Sequence, residues 1–317
     1  MKQSAIVVIV IAWASAVSAQ TPAAPPGREQ GLDLAAKQIA AGRVDEAADI
    51  LRQVADRFKS VQALMQLARI QSGRRDAKGA VESLQRALAL APNSEEVLSA
   101  FAQLSLGVKL PLPAIATLDS LTRICPTVAQ YQYLLGVALM QIGDMSTAVG
   151  SLKAAERIEP DRPLTLIALG LALNNRKEYA DARTFLLRSL ELDPDSAEAV
   201  AALAESEEGL GDLASAETHA RRALAKSTAN AAANLVLGLV FMRRQQYGDA
   251  RDAFQQSIAA DPDSTKALYQ LSLACARLGD EACSAKNLEL YKQKLRETEE
   301  RVLRLRTQTG LGVETRR

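Results

Sequence analysis

Residues 163–196, PLTLIALGLALNNRKEYADARTFLLRSLELDPDS, decide the fold. They open on an apolar run, break at the polar turn Lys177-Glu178, resume as a second run with charge on one side, and stop at Asp193-Pro194. Proline cannot continue a helix, so the stretch reads as two helices and a stop. The same stop recurs at Pro92, Pro126, Pro160 and Pro194, each 34 residues apart, and after one skipped slot at Thr228 it returns at Pro262. A fixed period of this size marks a repeat array.

Other columns keep the beat. Twelve residues before these sites stand Ala80, Ala114, Ala148, Ala182, Ala216 and Ala250, with Ser284 in the last slot. Another twelve residues earlier stand Ala68, Ala102, Gly136, Gly170, Ala204, Gly238 and Ser272, each preceded by a large apolar residue, for example Leu135, Leu169 and Leu237. One small column on each helix lets two backbones approach where the helices cross, and the large residue fills the seam beside them. Gly143-Asp144, Gly211-Asp212 and Gly279-Asp280 mark the turns between the helices of a hairpin.

This pattern resembles the tetratricopeptide repeat (TPR) family, whose units have small residues at places eight and twenty and proline at thirty-two. Segments 129–162, 163–196 and 231–264 fit best, and 61–94, 95–128, 197–230 and 265–298 complete seven contiguous units. A degenerate unit at 28–60, aligned by Leu34-Ala35, Gly42, Val44 and Ala47, makes about eight and brings the array to 28–298. The resemblance implies an all-α, right-handed superhelical solenoid that holds protein or peptide partners. The last unit departs from the pattern at Glu281 and Ser284, and 282–306 reads as one charged capping helix with a sparse apolar stripe of Leu288, Tyr291, Leu295, Val302 and Leu305. Such a cap shields the open end of a solenoid, and self-association through the stripe is the alternative. Residues 307–317 are expected to be a disordered tail.

Composition agrees with helices: 48% of residues are hydrophobic, only 4% are aromatic, and the formal charge is +1. Residues 1–19 read as a signal peptide, with Lys2, an apolar core from Ala5 to Ala14, and Val17 and Ala19 placed for cleavage after Ala19. The apolar run is shorter than the ~20 residues that span a bilayer, so the mature chain is expected to be periplasmic or secreted rather than membrane-spanning. Loss of Lys2 would leave no net charge, which argues against nucleic acid as a partner. Residues 20–27, QTPAAPPG, are expected to be an extended Pro-rich linker.

Export would place Cys125, Cys275 and Cys283 where disulfides persist. Cys275 and Cys283 flank one hairpin turn and are close enough in sequence to pair, with two unpaired cysteines on adjacent helices as the alternative. There is no CxxC and one histidine, His219, so no metal is expected to be bound by neighbouring ligands. His219 is expected to face the convex side or solvent. Glycine-rich phosphate loops and a GxSxG nucleophile motif are absent, so the chain is read as a non-enzyme without cofactor or small-molecule substrate. A TPR regulatory subunit of an enzyme or transferase system is the alternative.

In the family, first helices line the concave face. Carried over by place, that face would present Tyr133, Leu134, Val137, Met140, Ile167, Leu171, Leu235, Leu239, Met242 and Tyr269, with Glu198, Glu205 and Glu208 in the fifth unit. The clamp some members use for C-terminal carboxylates, Lys at place five and Asn at place nine, is missing here. The first helices around 164–173 and 233–242 are apolar nearly all round, and a wet helix should show a polar face. Either tight winding buries them, or they form an apolar groove for a peptide or helix, or the linker or a second copy covers them.

Overall fold

The computed structural model describes residues 27–308. Within them sixteen helices follow one another without a strand. They are α1 (Arg28–Ala40), α2 (Val44–Phe58), α3 (Val61–Gly73), α4 (Ala77–Leu90), α5 (Glu95–Gly107), α6 (Pro111–Ile124), α7 (Ala129–Gln141) and α8 (Met145–Ile158). There follow α9 (Pro163–Asn175), α10 (Tyr179–Leu192), α11 (Ala197–Leu210), α12 (Leu213–Lys226), α13 (Ala231–Arg243), α14 (Tyr247–Ala260), α15 (Thr265–Arg277) and α16 (Glu281–Gln308). Consecutive helices pack as eight hairpins, and each hairpin packs on the next, giving an all-α solenoid. The expected signal peptide at 1–19, most of the Pro-rich linker and the tail beyond Gln308 lie outside the described residues.

Local chemistry sets the helix ends. Ser60, Asp76, Ser94, Asp144, Ser196, Asp212, Asn230 and Ser264 each accept a hydrogen bond from the backbone N–H three residues on, satisfying a donor that has no partner inside the helix. The turn inside every hairpin passes through the left-handed region. Gly42, Gly143, Gly211 and Gly279 take it without strain, whereas Arg75, Lys109, Lys177 and Gln245 take it with φ of 58–63°. A side chain there costs about 1 kcal/mol, so Lys177→Gly is expected to raise the urea midpoint rather than lower it. An unchanged or lower midpoint would show that the Lys177 side chain holds the turn by other contacts.

The columns seen in sequence meet in the core. All six alanines at place twenty, Ala80 to Ala250, are fully buried. A third column faces the small residues of place eight: Leu84, Leu118, Leu152, Leu186, Ala220 and Phe254, sixteen positions on. A Cβ added at Gly136 would lie 2.5 Å from Leu152 Cγ, one at Gly170 2.4 Å from Leu186 Cγ, and one at Gly238 2.3 Å from Phe254 Cε1. Glycine meets the facing residue in the third, fourth and sixth units, Ala68 and Ala102 meet Leu84 and Leu118 in the first two, and the fifth unit pairs Ala204 with Ala220; at Gly238 the facing ring leaves no room for a methyl group.

The C-terminal helix differs from expectation at both ends. Asp280 Oδ1 accepts from Cys283 N at 2.9 Å, which starts α16 at Glu281, and no glycine or proline interrupts it before Gly310, so Thr307 and Gln308 are helical. Its first half packs on α15, where the Tyr291 and Tyr269 rings lie 5.3 Å apart.

Candidate functional site

The first helices decide what the concave side can offer. In α9 every residue from Thr165 to Gly170 is buried, and in α11 so is every residue from Ala199 to Ala204. These helices pack on one another directly, α9 against α11 and α11 against α13, and not only on their own partners. Tight winding therefore accounts for most of the apolar character of α9. Ile167 is only 5% exposed and Ala168 7%.

Winding is looser between α7 and α9, and there a groove of about 350 Å³ remains open. Tyr133, Val137 and Met140 form the wall on α7, and Leu164, Ile167, Ala168 and Leu171 form the wall on α9. Gln141 stands at one end and Glu198, from the start of α11, at another. Leu164, in the lining of this apolar channel, is 52% exposed. Five of the residues expected on the binding face, Tyr133, Val137, Met140, Ile167 and Leu171, are thus brought together.

The other five are elsewhere. Leu134 packs against the core formed by Leu98, Leu118 and Leu135. Leu235, Leu239 and Met242 lean on Phe254 and Leu271 in the core of the sixth and seventh units. Tyr269 is exposed but faces Tyr291 of the C-terminal helix.

Charge on the groove is unevenly matched. Arg162 lies over the Tyr133 ring, 5.1 Å from its centroid, donates to Gln130 and pairs with Glu159 at 3.6 Å. In the fifth unit, Lys266 of α15 reaches Glu205 at 2.6 Å and Arg243 of α13 reaches Glu208 at 3.1 Å. Two of the three carboxylates expected to be offered to a partner are therefore tied within the array. Glu198 has no cationic partner among the described residues, and it is exposed. Burial raises the pKa of Tyr133, with the Glu198 charge adding to the rise and Arg162 opposing it.

His219 does not face open solvent. It is half-buried, with Nδ1 2.7 Å from Oε2 of Glu207, whose side chain is 7% exposed. The place His219 occupies is on the packed side of the second helix in other units as well, where Ser83, Thr117 and Ser151 are buried, and here Glu207 stands at the place of Leu139 and Leu173 in the two preceding units to meet it. Nearby, Asn174 donates to the Ala202 carbonyl at 2.8 Å and accepts from Ser206 at 2.7 Å, tying α9 to α11.

The structure joins Cys275 and Cys283 in a disulfide across the α15–α16 turn, with Cα atoms 5.8 Å apart, and leaves Cys125 free. Burial and the neighbouring Glu95 push the Cys125 thiol up, which disfavours the nucleophilic thiolate. Tyr131 donates to the same Glu95 at 2.7 Å, and its own pKa is pushed up to about 12. Among the described residues no three His, Cys, Asp or Glu side chains gather to hold a metal ion.

A family model described as tetratricopeptide repeat matches residues 32–95, 133–197, 167–234, 201–265 and 235–286. The chain belongs to the tetratricopeptide repeat family. Solved TPR structures share its fold. A TPR protein from Parabacteroides merdae is 14% identical over 78% of this chain and 98% of its own, with a TM-score of 0.59. The C-terminal part of a TPR repeat-containing protein from Cytophaga hutchinsonii is 15% identical over 76% of this chain and 99% of its own, at 0.54. MamA is 23% identical over 53% of this chain and 92% of its own, at 0.50. No curated protein matches the chain.

Proposed function

We propose that this TPR array is an interaction scaffold that seats an apolar side chain of a peptide or helix in the groove between α7 and α9. The observation that carries the reading is the opening itself: α9, α11 and α13 close their first-helix faces on one another, whereas between α7 and α9 Leu164 stands exposed beside Tyr133, Val137 and Met140. Leaving such a patch in water is unfavourable, and a partner's aliphatic side chain relieves it by about 25 cal/mol per Å² of apolar surface removed. The role is binding rather than catalysis, because no nucleophile, base and orienter converge at the groove.

We place the chain outside the cytoplasm, in the envelope or secreted, and assign it to organising an assembly there. The leader-like residues 1–19 and the Cys275–Cys283 disulfide support that location. Among the described residues no helix is long and apolar enough to cross a membrane.

The test is a native-envelope pull-down with the wild type and with Leu164→Gln. Leu164 is exposed, so its replacement is expected to leave the thermal midpoint nearly unchanged while weakening capture by about tenfold. Full capture by the folded variant would move the binding surface away from this groove.

A further inference from the structure

We propose that the α7–α9 groove selects a segment carrying a cation, Lys or Arg, beside the apolar side chain it inserts. This rests on the groove reading above and adds the charge of the partner. Three carboxylates of α11 occupy the places expected on the concave side, and their partners differ. Glu205 and Glu208, away from the groove, are each matched by a cation of a later repeat, Lys266 and Arg243. Glu198, the one carboxylate that lines the groove, is matched by none among the described residues.

The opposite rim does not restore the balance. Arg162 lies over Tyr133 of the groove wall, and it is already paired with Glu159 and bonded to Gln130. The groove therefore presents an apolar channel whose lining includes one carboxylate with no ion-pair partner among the described residues. An acidic segment would meet repulsion there at the moment its apolar side chain entered. A basic one would gain a charge pair at the edge of a low-dielectric surface, where Coulomb attraction exceeds its value in bulk water.

Two labelled helical peptides test this by fluorescence anisotropy at low salt. Both carry the same leucines on one face, with lysines on the other face in the first peptide and glutamates in the second. The wild type is expected to prefer the lysine peptide. Glu198→Gln should reduce that preference about threefold and Glu198→Lys about tenfold or invert it, with the circular-dichroism spectrum retained. Leu164→Gln should weaken both peptides together. Equal binding of both peptides by the wild type, still weakened by Leu164→Gln, would overturn the charge selection and leave the groove standing. A preference that survives Glu198→Lys would overturn it too, by placing the discriminating charge elsewhere. Binding of neither peptide would overturn this inference and the groove reading together.

Discussion

Replacing Phe254 with Ala is expected to cost the array about 3–5 kcal/mol, since the ring is fully buried and nothing nearby can collapse into its space. Phe254 packs with Ala250, Leu271, Ala274 and the disulfide-bonded Cys275, and its ring edge fills the notch left by Gly238 on α13. A solenoid is stabilised chiefly by nearest neighbours, so the loss should fall on the sixth and seventh units and split the urea transition in two. The pairing makes a sharper test possible. Gly238→Ala alone should also destabilise, because its Cβ would sit 2.3 Å from Phe254 Cε1. Placed on top of Phe254→Ala, the same change should stabilise by up to about 1 kcal/mol, as alanine has the better helix propensity and the fifth unit already pairs Ala204 with Ala220. Additive effects of the two substitutions would sink the idea that volume is shared across the crossing.

That compensation explains how far the sequence could be read. Fixed columns such as Ala148, Ala182 and Pro194 announce the repeat because identical backbones cross at identical places, and steric rules there admit only a few residue types. The facing column, leucine at Leu84, Leu118, Leu152 and Leu186, is broken by Ala220 and Phe254, and the size of the last makes sense only beside Gly238. The turn was legible at Gly143, Lys177, Gly211 and Gly279, and hidden at Arg75, Lys109 and Gln245, where a long polar residue takes the same left-handed conformation.

The groove was half legible for a different reason. Place within a repeat tells which residues point to the concave side, so Tyr133, Val137, Met140 and Leu171 could be named together. Place does not tell how tightly one hairpin winds on the next. Winding depends on small differences summed along the array, and it closes the face at α11 while leaving it open between α7 and α9. Leu235 and Leu239, which occupy equivalent places, are half-buried against the core that holds Phe254 and Leu271. Glu205 and Glu208 read as ligand-facing because their cations lie in later units, with Lys266 61 residues from Glu205.

The second large effect is expected at His219, where substitution by Ala should cost about 2–3 kcal/mol at neutral pH and much less in acid. Removing the imidazole leaves the Glu207 carboxylate buried with no hydrogen-bonding ring against it, and the lower end of the range for breaking a buried pair applies because His219 is partly open to solvent. Burial already raises the Glu207 pKa, with Asp212 adding a little, while the His219 hydrogen bond, the charge interaction with His219 and Arg183 pull it down. Taking His219 away removes the strongest of the downward influences, so the folded-state pKa climbs further above the ordinary 4.5. A carboxyl raised in this way contributes its stability below its unfolded value and loses it as pH rises through the folded value. Chemical denaturation of His219→Ala at about pH 4 and about pH 7 should therefore show a deficit that widens with pH. Adding Glu207→Gln should remove most of the pH dependence, and adding Glu207→Leu, the residue type found at this place in the two preceding units, should restore the stability as well. A deficit equal at both pH values would show that His219 acts by packing alone, and a double variant no more stable than His219→Ala would show that the buried charge is not what the histidine relieves.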